Sequence, residues 1–192
     1  MLRIEAAYTV ALGHLGRVPV DVAKHVERHI LAHQPDVSAL RSGTAEDGLV
    51  LPSLVRSLKA DLHAGHYAAL HKGLTSQDVI DTALVLALVT VSDVFVDRIS
   101  TLIKAIRALE KSQGSNGLMG RTRMQAALPI TLATRLQSWH LPLSDHLERL
   151  EQLKPGLLSL QFGGAAGDRA ALGVDGEKVA AHMATSLGLH NP

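Results

Sequence analysis

The stretch from about Thr75 to Lys111 constrains this chain more than any other. Its first half (Val79, Ile80 and Ala83 through Val89) is apolar on nearly every face of a helix. Its second half narrows to a stripe of Val94, Phe95, Ile99, Leu102, Ile103, Ile106 and Leu109. A helix that is apolar all round has to be covered all round. One chain of 192 residues, folded as a bundle, struggles to supply that cover. The expectation is therefore self-association, as a dimer or homotetramer, with this helix near the centre.

The remaining periodicity is also helical. Ile4, Ala7, Tyr8, Ala11, Leu12 and Leu15 repeat at helical spacing before Gly16 and Pro19 interrupt them. Val20 to His33 reads as a second helix ended by Pro35, Gly43 to Gly48 as a loop, and Leu49 to Leu62 as a third helix with Pro52 in its first turn. After the break at 113–117, a second long helix is expected from about Met124 to Leu153, kinked at Pro142, and a final one from about Asp175 to Leu187. No segment alternates like a strand. The fold class is all-α: a helical N-terminal region over 1–70, then part of a long-helix bundle over 71–192. Aromatic residues make up only 3%, so the core is built from Leu, Ala, Val and Ile.

Composition excludes several functions. The 19 Lys and Arg nearly balance 18 Asp and Glu, which leaves no footprint for nucleic acid. With no cysteine there is no disulfide, thiolate metal site or cysteine nucleophile. The first residues lack the basic-then-apolar order of a signal peptide, and the longest unbroken apolar run, Ala83 to Val89, is too short to span a bilayer. A cytoplasmic protein without membrane contact is expected. His25, His29 and His33 fall at i, i+4 and i+8, but no carboxylate completes a metal set, so they read as solvated surface. No metal or other cofactor is expected.

Chemistry concentrates at His71-Lys72-Gly73-Leu74-Thr75-Ser76-Gln77-Asp78, a polar loop closing onto the start of the apolar helix. Thr75 or Ser76 can act as N-cap, and the Thr75-x-x-Asp78 spacing resembles a capping box. Hydroxyls at a helix N-terminus suit a carboxylate ligand. They equally suit a well-capped helix with no ligand. His71 can bind or transfer a proton, or it can satisfy a buried hydrogen bond. Arg121 can clamp a carboxylate or bond carbonyls at a helix start. Asp78 and Asp81 read as caps and ion-pair partners.

Three segments together resemble the fumarase/aspartase superfamily: 71–82, 120–129 (GRTRMQAALP) and 161–167 (QFGGAAG). Their wording is most similar to the 3-carboxy-cis,cis-muconate cycloisomerases. The resemblance implies an all-α tetramer whose active sites each draw on three chains. It implies a di- or tricarboxylate substrate, lactonised in the breakdown of aromatic compounds. On this resemblance the catalytic candidates are His71, Ser76 and Arg123, and the substrate-binding candidates are Thr75, Gln77, Arg121, Thr122, Gln125, Gly163 and Gly164. The two glycines are expected to bring backbone N–H groups close to ligand. Arg123 stands where many fumarate-releasing lyases carry histidine, which points away from an adenylosuccinate-type lyase. Asp168 stands where the family usually has threonine and would repel an anion. The family's glycine- and serine-rich loop, which supplies its catalytic serine, is expected beyond Pro192. The chain therefore reads as about half of an enzyme, inactive alone. The competing reading is a non-catalytic helical module kept for oligomerisation.

Overall fold

A computed structural model describes all residues 1–192. The chain divides into two compact units, one formed by 1–87 with 158–192 and the other by 88–157. This cuts the chain differently from a division at residues 70 and 71, because the C-terminal helix closes back on the N-terminal one.

The first unit holds helices α1 (Leu2–His14), α2 (Val20–Ala32), α3 (Val37–Asp47), α4 (Val50–Ala60) and α7 (Gly176–Leu187). It also holds the start of α5 (Ser76–Gln113) and two short 3₁₀ helices, Ala64–Ala69 and Ala170–Asp175. Ile4, Tyr8, Val26, Ile30, Leu51, Leu58, Leu70, Val79 and Met183 are fully buried and form its core. Most come from apolar positions at helical spacing, so burial follows from periodicity.

α3 replaces most of the loop expected over 43–48. Asp36 caps its start, accepting from the amides of Ser38 (2.8 Å) and Ala39 (3.2 Å), and Gly48 ends it in a left-handed conformation (φ 73°). Gly43 is a packing glycine inside this helix. A Cβ there would meet the Ser53 side chain of α4 at 2.4 Å. His29 and His33 are not the solvated residues their spacing suggests. The His29 ring bonds the Leu58 carbonyl (2.8 Å) and His33 bonds the Ser57 hydroxyl (2.7 Å), which ties α2 to α4.

The second unit holds the rest of α5, a hairpin of β1 (Gly117–Thr122) and β2 (Gln125–Thr131), and α6 (Leu132–Leu157). Glu110 late in α5 accepts from Gln137 (2.6 Å) and bonds His140 (3.1 Å) early in α6, while Asp93 pairs with Lys154 (3.7 Å) late in α6. The two helices therefore run antiparallel. The Gln137 bond, then His140, holds the Glu110 carboxyl below its ordinary range.

The hairpin corrects the expectation that a helix begins near Met124 and that no strand exists. Thr122 pairs with Gln125 across a two-residue turn in which Arg123 (φ 45°) and Met124 (φ 66°) are both left-handed. That is the geometry a type I′ hairpin demands. The apolar run 126–130 thus pairs across the hairpin instead of forming a first helical turn. The Thr131 hydroxyl accepts from the Thr134 amide (3.2 Å) and so sets where α6 starts. The fold remains mostly helical with one small two-stranded sheet.

α1 and α2 meet at Gly13, where an added Cβ would lie 2.5 Å from the Ala23 Cβ. Gly13→Ala gains about 1 kcal/mol of helix propensity. The collision is expected to outweigh it, leaving a net loss of about 1–2 kcal/mol in urea unfolding. Ala23→Gly in the same chain should restore part of that loss.

Candidate functional site

The loop entering α5 is shaped by three internal anchors. The Tyr8 hydroxyl donates to the Lys72 carbonyl at 2.6 Å. Burial, followed by the charge of Glu5, pushes its phenol above the ordinary range. Gly73 (φ 99°) passes so close to Tyr8 that a Cβ would sit 2.9 Å from the hydroxyl oxygen. His71 takes a left-handed conformation (φ 59°), and its Nδ1 lies 2.7 Å from Oε1 of Glu5. Its hydrogen-bonding role is therefore realised, with a partner contributed by α1.

Asp78 organises the start of α5. Its Oδ2 accepts from the Thr75 amide (2.9 Å), the carboxylate half of the expected capping box. The same carboxylate accepts from the amides of Gly163 (2.9 Å) and Gly164 (3.1 and 3.2 Å). The glycine N–H groups expected to meet a ligand thus bind a buried side chain of the protein, because Asp78 already occupies the acceptor position in front of them. Gly163 is still required: a Cβ there would lie 2.8 Å from the Gly167 Cα. One turn further on, the Thr82 hydroxyl donates to the Gln161 carbonyl (2.8 Å), while the Gln161 amide is within bonding distance of the same hydroxyl (3.1 Å).

The hydroxyls of Thr75 and Ser76 are half-buried at the helix N-terminus and make no bond within the chain. Gln77 is exposed and reaches Asp81 (3.4 Å). Asp168 is also exposed, and its Oδ1 accepts from the Ala170 amide (3.0 Å), two residues on, just before a 3₁₀ helix. Arg169, which no sequence motif singles out, bonds the Phe162 carbonyl and pairs with Glu177 (2.6 Å).

His71, Thr75, Ser76, Gln77, Gly163 and Gly164 all belong to the first unit. Arg121, Thr122, Arg123 and Gln125 belong to the second, where they lie exposed on the hairpin, with Arg121 reaching the Met124 carbonyl (3.5 Å). Glu5, Tyr8 and Thr82 also shape the site, and sequence reasoning does not find them. Tyr8 shows in the sequence only as a member of the apolar repeat, Thr82 only as the last residue of the 71–82 motif, and Glu5 only as a charge beside Ile4 in a helix of mostly apolar residues.

A family model described as "Lyase" matches residues 49–192. The chain belongs to this lyase family, within the fumarase/aspartase superfamily. Along its whole length it is 36% identical to the 3-carboxy-cis,cis-muconate cycloisomerase of Pseudomonas aeruginosa, of which it covers 42%. It is 30% identical to the N-acetyl-S-(2-succino)cysteine lyase of Dickeya dadantii over 98% of its length, covering 41% of that protein. Among solved structures, the 3-carboxy-cis,cis-muconate lactonizing enzyme from Pseudomonas putida superposes on the whole chain with a TM-score of 0.90 at 34% identity, over 44% of its length. A fumarate lyase from Mesorhizobium sp. BNC1 superposes with a TM-score of 0.94 at 32% identity, over 45% of its length. The chain spans less than half the length of these lyases. The stretch matched by the family model begins after α3, so Glu5 and Tyr8 lie outside it, whereas the cycloisomerase alignment covers both.

Asp78 tethers the 163–164 loop to α5 across 85 residues of sequence. Asp78→Ala removes every acceptor at once and should cost about 3 kcal/mol, since amides bonded to a charge are left unpaired. Hydrogen exchange should speed up at Gly163 and Gly164 while the amides of α2 and α4 stay protected until global unfolding.

Proposed function

We propose that this chain forms part of a 3-carboxy-cis,cis-muconate cycloisomerase-type enzyme. The observation that carries this reading is the whole-chain match to the cycloisomerases and to the solved lactonizing enzyme. Arg123, in place of the histidine of fumarate-releasing lyases, supports the same branch.

In lactonisation a carboxylate of the substrate adds to its own double bond, and the neighbouring carbon is protonated. Negative charge builds on a second carboxylate as an aci-type enolate, so the site needs fixed donors there and a positioned acid. The hydroxyls of Thr75 and Ser76 at the N-terminus of α5, together with Gln77, are suited to the enolate carboxylate. Since the N–H groups of Gly163 and Gly164 are committed to Asp78, these two residues shape the wall instead of donating. His71 is assigned to binding or proton transfer. Arg121 and Arg123, with Thr122 and Gln125, clamp the remaining carboxylates. They stand on an exposed hairpin, which suits a site assembled from several chains.

The test is a chimera in which the rest of the Pseudomonas putida enzyme follows residue 192, assayed on 3-carboxy-cis,cis-muconate. Lactonisation should appear and fall by about 10²-fold or more in Ser76→Ala, Arg121→Ala and His71→Ala. Asp168→Thr should raise it by lifting repulsion from the anion. The 192-residue chain alone should give no turnover. A chimera that releases fumarate from adenylosuccinate would favour the lyase reading instead.

Self-association is part of the same proposal. Only 22% of the most apolar stretch of α5 is buried inside the chain, and Leu84, Val94, Phe95, Leu102 and Leu109 are about half exposed, with Trp139, Leu141 and Leu153 of α6. By length and composition α5 could cross a membrane. The helix nevertheless belongs to a fold shared with a lyase and a lactonizing enzyme solved as crystals, so we assign its cover to other subunits of a soluble, cytoplasmic tetramer. Light scattering should give a dimer or tetramer at micromolar concentration. Paired Leu84→Glu and Phe95→Glu substitutions should shift it to monomer, because an unpaired charge in an apolar interface is costly.

A further inference from the structure

Glu5 is fully buried, yet it sits in α1 among Ile4, Ala6, Ala7 and Tyr8. One oxygen lies 2.7 Å from His71 Nδ1, and the other, Oε2, has no partner. A buried carboxylate with an unpaired oxygen is an expensive way to hold a helix, and an apolar residue of similar volume would hold it as well or better. Stability therefore does not account for Glu5. Its one partner is a histidine whose side chain remains 21% exposed and which lines a cavity of about 360 Å³ with Lys59, Tyr67 and Lys72. Two lysines at that cavity make it hospitable to an anion. An imidazole has two inequivalent nitrogens, and the bond at one decides what the other can do.

We propose that Glu5 is the positioning residue of His71: its carboxylate accepts from Nδ1–H, which holds the ring in one tautomer and orientation and reserves Nε2 for a carboxylate ligand. The ligand half of this proposal rests on the carboxylate-site reading above, whereas the tautomer half rests on geometry alone. With Nδ1–H committed to Glu5, Nε2 accepts when the ring is neutral and donates when it is protonated. Without Glu5 the ring can rotate and either nitrogen can carry the proton. The left-handed backbone at His71 (φ 59°) sets where the ring begins, and Glu5 sets where it points.

Two measurements test this on the 192-residue chain. Ring ¹⁵N spectra of the wild type should show His71 protonated at Nδ1, and Glu5→Met should give a mixture of tautomers. Calorimetric titration with tricarballylate should show Glu5→Met weakening affinity about ten-fold while the melting temperature holds or rises. In a His71→Ala background, Glu5→Met should change affinity no further. A wild-type ring protonated only at Nε2 would overturn the proposal. So would a Glu5→Met chain that keeps tautomer and affinity but melts lower, since that marks a structural role. If the wild type ignores tricarballylate, the carboxylate-site reading fails and the ring spectra alone decide on Glu5. If Glu5→Met does not fold, Glu5→Gln takes its place: the amide can donate to Nδ1, so it should release the tautomer, and a ring that stays protonated at Nδ1 alone would count against Glu5.

Discussion

The carboxylate of Asp78 gathers amides from two distant stretches of chain, Thr75 at the head of α5 and Gly163 and Gly164 in the loop before α7. Asp78 is only 6% exposed, so its charge is tolerated because N–H groups surround it. The consequence is a rigid junction where a polar loop, a helix N-terminus and a glycine-rich segment meet. Tyr8 and Glu5 complete it from α1 through Lys72 and His71. Every candidate in the first unit is placed by this junction, and none stands on a free loop.

The junction also redistributes chemical roles. Glycine N–H groups close to a helix N-terminus look like an anion cradle, but here the anion is the protein's own Asp78. What remains available for a ligand is the pair of unbonded hydroxyls at Thr75 and Ser76 and the His71 ring. The second unit offers guanidinium groups on an exposed hairpin and a broad apolar surface on α5 and α6. An exposed apolar face of that extent is costly for a lone chain, which is why we couple the proposed chemistry to assembly.

Much of the helical architecture is legible in the sequence because burial follows periodicity. The apolar positions of α1, α2 and α4 are the ones that become core, and α5 begins within a residue of where Thr75 and Asp78 announce it. Two elements are not legible. α3 contains Gly43, and sequence alone does not distinguish a glycine that breaks a helix from one that lets another helix approach. The hairpin at 117–131 contains an apolar stretch with no strand alternation, and its turn places two non-glycine residues at positive φ. Local propensity argues against that conformation, so only cross-strand pairing establishes it.

For the candidate site, the sequence by itself determined the family, because the order and wording of the three motifs already mark it. It determined too that α5 needs cover, because hydrophobicity on every face is a property of composition and period. Only the tertiary structure decided who bonds to whom. That Glu5 meets His71 across 66 residues, and that Asp78 rather than a ligand takes the Gly163 and Gly164 amides, depends on where three separate elements converge. Hydrogen bonds act over about 3 Å, whereas sequence patterns report only which face of an element is turned inward.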